Sequence, residues 1–134
     1  MTRPRTETGA ATVFVVGFAV MLLACAGLVI DGGNAINARM KLADDVEQAA
    51  RAGASAIDVD HLRSSNDLRL DPAEARSRAV SYMGSIGYAD VNASVGQDTV
   101  TVGARDTVPT ALLQLVGIGT FDISATATAE AVTQ

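Results

Sequence analysis

One uncharged stretch constrains this chain more than anything else in it. Residues 10–30 read AATVFVVGFAVMLLACAGLVI, without a charged or amide side chain. As a helix they rise about 31 Å, the thickness of a bilayer hydrocarbon core. Lipid offers backbone polar groups no partners, so a segment that crosses it must be helical. Arg3 and Arg5 precede the stretch with Glu7, and Asp31, Asp44 and Asp45 follow it. Positive charge stays on the cytoplasmic side. The sequence therefore predicts a cytoplasmic basic tail (1–9), a transmembrane helix (10–30) and an exported domain (31–134). Of ten Lys+Arg and fifteen Asp+Glu, eight and fourteen lie beyond the stretch, a net charge of −6 for the exported part.

Composition narrows the chemistry. One Cys rules out an intrachain disulfide and any multi-thiolate metal site, and one His, His61, removes every site needing two imidazoles. Aromatics are 4%, Trp is absent and the net charge is −5, which disfavours base stacking and phosphate binding. No GxSxG, HExxH, CxxC pair or P-loop occurs. The sequence predicts no catalysis, no cofactor, no metal, no small-molecule substrate and no nucleic acid.

Three processing routes are open to such an N-terminus. A signal peptidase could cut after Ala26, because Ala24 and Ala26 fit the small-x-small rule. Leu22-Leu23-Ala24-Cys25 resembles a lipobox, with Cys25 as the lipidated residue. Cleavage after Gly9, as in type IV-like prepilins, would leave the apolar helix on the mature chain. Within the helix, Ala10, Gly17 and Ala24 recur every seven residues and Gly27 follows, so four small side chains fall near one face where another helix could approach. Val20 and Met21 break this face. Gly32-Gly33 just beyond Asp31 weaken helix and mark a hinge.

The exported part reads as α+β. Residues 34–57 form an Ala-rich helix continuing the membrane helix, with Ile36, Met40, Ala43, Val46, Ala50, Gly53 and Ile57 on its packing face. Residues 58–71 are polar and read as a loop. Its scattered Asp58, Asp60, His61, Asp67 and Asp71 lack the alternation and central Gly of a calcium loop. Asp71-Pro72 starts a second helix over 72–86. From 88 the period becomes two. Residues 88–95 and 99–104 flank the turn Gly96-Gln97-Asp98 as a hairpin, Ala111–Val116 make a short helical turn, and 121–130 alternate as a third strand. The region 88–130 is thus a small three-stranded antiparallel sheet with a short helix. Leu112, Leu113, Leu115, Val116 and Ile118 are its densest apolar cluster.

Gly9 with the apolar run after it, Asp31-Gly32-Gly33, the helix ARMKLADDVEQAARAGASAID and the C-terminal VPTALLQLVGIGTFDISATATA together resemble the TadE/TadG-like family of Tad (Flp) pilus assembly, in its short actinobacterial-type form. The resemblance implies a pilin-like architecture. It implies a membrane-anchored minor pilin-like or pilus-assembly protein, its domain outside the cell membrane, with lipid and other pilus-assembly or pilin subunits as partners. TadE-like pseudopilins carry a Glu five residues after the processing Gly, whereas this chain has Phe14, which favours the TadG-like branch. The competing readings are a secreted or lipid-anchored binding module with a cleaved targeting signal, and an accessory subunit of another membrane complex.

Overall fold

The computed structural model describes residues 8–65 and 67–132, so Arg3 and Arg5 of the basic tail lie outside the described residues. It confirms the α+β class. Helix α1 (Thr8–Ala54) is one element of 47 residues, about 70 Å long. It continues through Gly32 and Gly33, where the sequence suggested a hinge, and no neighbouring atom lies within 4 Å of where their Cβ atoms would stand. The immediate neighbours Val29, Ile30, Asp31 and Asn34 are only moderate helix formers, so local propensity does not explain the continuity, and a tie of Asp31 to a 3-10 turn later in the chain accompanies it.

The segment 58–71 needs correction, because it contains a short helix, α2 (Val59–Ser65). Asp58 Oδ1 accepts the His61 N–H at 3.0 Å, the geometry of an N-cap. No residue of α2 is buried, so it shows no apolar period from which a helix could be read. Helix α3 (Pro72–Ser85) starts where Asp71 and Pro72 place it. Asp71 Oδ1 accepts the N–H groups of Ala73 and Glu74 at 2.9 and 3.0 Å. Gly87, with φ of 102°, takes the chain out of the helix in a conformation that other residues rarely adopt.

Strands β1 (Asp90–Val95), β2 (Thr99–Pro109) and β3 (Thr120–Glu130) form an antiparallel sheet in the order β1-β2-β3. A 3-10 turn, Leu113–Val116, lies between β2 and β3. β2 runs five residues past the alternation visible in sequence. Its second half, Arg105–Pro109, has polar residues on both faces and is held as strand by pairing with Thr120–Ser124 of β3.

The core lies between one face of the sheet and helices α1 and α3. Leu42, Val46, Met83, Val100 and Val102 are fully buried among many Ala side chains. Small residues let the layers close tightly. A Cβ on Gly53 would stand 2.9 Å from both the Ala75 carbonyl oxygen and Val100 Cγ1.

The packing face of α1 also needs correction. Val46, Ala50 and Gly53 face inward as expected and Ile57 is half-buried, but Ala43 is exposed, and Ile36 and Met40 are 64% and 55% exposed. The inward stripe is instead Gly27, Asp31, Leu42, Val46, Ala49, Ala50 and Gly53. Apolar residues occur all round this helix, so spacing alone cannot choose between adjacent faces.

These contacts fix the axial register. Val100 at the start of β2 lies against Gly53, and Ala111 just after β2 lies against Asp31. Between Asp31 and Gly53 the helix rises about 33 Å, while the strand segment from Val100 to Ala111 covers about 36 Å. β2 therefore runs antiparallel to α1 along its second half, and the domain begins where the uncharged stretch ends.

Candidate functional site

The first half of α1 has no protein cover over most of its surface. Val13, Phe14, Val15, Leu23, Leu28 and Val29 are each more than half exposed, and the Phe14 and Phe18 rings stack at 6.4 Å. A single helix that is apolar all round is stable only in lipid or among other helices.

The small-residue positions divide along this helix. Ala10 is exposed, and a Cβ on Gly17 would meet nothing within 4 Å. Ala24 is half-buried. Gly27 is buried by the chain itself, since a Cβ there would stand 3.1 Å from Leu112 Cβ and 3.2 Å from Leu113 Cδ2. At its upper end the proposed helix-packing face is thus occupied by the protein's own 3-10 turn. Of the candidate processing positions, Gly9 lies in the first turn of α1, and Cys25 and Ala26 are exposed on it.

One turn above Gly27 is a feature the sequence reading missed. Asp31 is 2% exposed. Its Oδ1 accepts the Ala111 N–H at 2.8 Å, and its Oδ2 accepts those of Leu112 and Leu113 at 2.9 and 2.8 Å. The 3-10 turn has no side-chain cap of its own, so a carboxylate 80 residues away in sequence supplies one. The Leu113 N–H acts most strongly to hold the Asp31 pKa below its ordinary value, and the Ala111 and Leu112 N–H groups act the same way against the opposing effect of burial. The available signal was an acid placed directly after 21 uncharged residues, together with an uncapped turn at Ala111. Nothing local joins the two.

A second tie lies farther up α1. Asp45 Oδ2 accepts the Tyr88 hydroxyl at 2.9 Å and pairs with Lys41 Nζ at 3.2 Å. Burial, followed by the Asp45 carboxylate, raises the Tyr88 pKa. Arg39 Nε donates to the Ser124 carbonyl at 3.3 Å. Three of the acids around His61 have structural uses: Asp58 caps α2, Asp71 caps α3, and Asp67 pairs with Arg69 at 3.1 Å. His61 Nε2 stands 3.5 Å from Asp67 Oδ2, too long for a good hydrogen bond.

The arrangement is a long helix, naked below and clasped by a small domain above. Residues 9–56 match the family model described as putative Flp pilus-assembly TadE/G-like. This is the family that the N-terminal motifs resemble. The matched TadE/G-like segment begins one residue inside α1 and ends just past it, covering both halves of the helix and Asp31 but not the sheet. Neither a curated protein nor a solved structure matches the chain. The match supports a pilus-related role, and the apolar helix suggests a membrane anchor or a signal.

Proposed function

We propose that this protein is a membrane-anchored, minor pilin-like or assembly subunit of a Tad (Flp) pilus, with a structural role and no catalysis. Its N-terminus lies in the cytoplasm and its α+β domain outside. One observation carries the reading: the TadE/G-like segment is a single rod whose lower half, below Ala24, is left uncovered by its own chain. Assembly partners would pack on the open small-residue positions Ala10 and Gly17 and on the exposed side of Ala24.

Gly27 supports retention of the helix. A cut after Ala26 would place a charged amino terminus at the buried Gly27, beside Leu112 and Leu113 and four residues before the Asp31 clasp, and taking a charge out of water into apolar surroundings is costly.

The test is fractionation of cells making the full chain, with mass spectrometry of the mature N-terminus and co-purification from membranes. The reading expects residues 10–30 to remain on the mature chain, in the membrane fraction. Other pilus-assembly subunits should co-purify, and Gly17→Leu with Ala24→Leu should weaken their recovery. A chain starting at Gly27 in the medium, or a diacylated Cys25, would overturn it in favour of a secreted or lipid-anchored binding module.

A further inference from the structure

The connector between β2 and β3 carries an apolar surface that the fold does not use. Leu115, Val116 and Ile118 are 75%, 49% and 44% exposed. From Thr107 to Phe121 the chain has no ionisable side chain. The connector is nonetheless well ordered by its own bonds. Ile118 N–H donates to the Leu113 carbonyl and Thr110 N–H to the Gly119 carbonyl, both at 3.0 Å, and the Thr110 hydroxyl donates to the Ile118 carbonyl. Gln114 Nε2 donates to the Ala111 carbonyl at 2.9 Å. The first N–H groups of the turn are taken by Asp31. With apolar side chains outside and many of its polar groups paired, the segment enters a low-dielectric medium at less cost than an open loop would.

Its height selects the medium. Leu112 and Leu113 pack on Gly27, in the last turn of the uncharged stretch, beside the exposed Leu28, Val29 and Ile30. The opposite end of the domain holds the turn at Gln97-Asp98 and the charged segment around α2, about 33 Å farther along α1. The apolar connector and the end of the naked helix thus lie at the same end of the domain.

We propose that the 110–119 connector is a second membrane contact, in which Leu115, Val116 and Ile118 enter the outer bilayer interface and Asp31 locks them to the exit point of the helix. The domain then stands on the membrane at two points, and its rotation and tilt about α1 are restricted. This inference rests on the membrane-anchored reading above.

The test uses the full chain with Cys25→Ser in nanodiscs of phosphatidylcholine and phosphatidylglycerol holding one chain each. Val116→Cys carries an environment-sensitive fluorophore, and Gln97→Cys carries the same label as a distal control. Lipid bearing a nitroxide near the carbonyl should quench the emission at position 116 strongly, because an interfacial residue sits at that depth, and iodide should quench little. At position 97 the pattern should reverse. Iodide quenching at 116 equal to that at 97 overturns the proposal. So does a label at 116 shielded in multi-chain vesicles but open to iodide in single-chain discs, because a second copy is then the cover. A label on native Cys25 distinguishes the two levels. If a nitroxide deep in the acyl chains does not quench it, the anchored reading fails; if it is quenched while 116 stays wet, only the connector contact fails.

Discussion

The two halves of α1 share a backbone and differ in what surrounds them. From Ala10 to Ile30 the large residues Val, Phe, Leu and Met point in every direction and remain exposed. From Asp31 to Ala54 one stripe of Leu42, Val46, Ala49, Ala50 and Gly53 is buried against the sheet and α3. The lower half depends on its environment for cover, and the upper half carries its cover with it. Apolarity alone therefore does not mark a core position in this chain. On the upper half of α1 the buried stripe is mostly Ala and Gly, with Leu42 and Val46, because helix and sheet approach closely, whereas the bulky residues of the lower half stay uncovered by the domain.

One substitution made in both halves separates them most clearly. Leu42→Ala opens a cavity in a fully buried site and should lower the unfolding free energy of the full chain in micelles by about 3 kcal/mol. Leu22→Ala, at a site 51% exposed, should change it by less than about 1 kcal/mol. Equal losses would mean that the lower half is packed against protein. Next in size, Gly53→Val drives a methyl-bearing carbon into Ala75 and Val100 and should cost about 2 kcal/mol in the same unfolding measurement.

The junction sharpens the comparison further. Asp31→Asn removes charge from the clasp, so amide exchange at Ala111, Leu112 and Leu113 should accelerate while exchange in α3 stays unchanged. The folded pKa of Asp31 is depressed, so its stabilisation is complete above its ordinary value near 3.8 and declines as pH falls through the folded value. The difference in thermal midpoint between wild type and Asp31→Asn should therefore be full at pH 6 and shrink in strong acid. An unchanged difference across that range would mean that the carboxylate's charge contributes nothing.

The smallest effect compares two glycines. Gly17→Ala adds a good helix former in open space and should stabilise the helix by up to about 1 kcal/mol. Gly27→Ala makes the same propensity gain against contacts of 3.1 and 3.2 Å, so its benefit should be smaller or reversed. Thermal unfolding of both variants checks the ranking.

Much of the architecture could be read locally. The Asp71-Pro72 start of α3, the turn at Gly96-Gln97-Asp98 and the alternation in β3 each depend on neighbours a few residues apart. Helix α2 escaped because it buries nothing, and the far half of β2 escaped because its strand state comes from β3. Among the site residues, Ala10 and Gly17 lie open on α1, whereas Gly27 is filled by Leu112 and Leu113.

By itself the sequence determined an apolar helix too long and too evenly greasy for a small core, followed by an α+β domain. Those properties follow from composition and from periods of two and 3.6, which any short window displays. Tertiary structure alone decided which face of α1 is buried, that Asp31 caps a turn 80 residues away, and that the apolar connector sits beside the end of the helix. Such pairings depend on how the strands register against α1, and a carboxylate becomes a clasp only when folding brings three unpaired N–H groups to it.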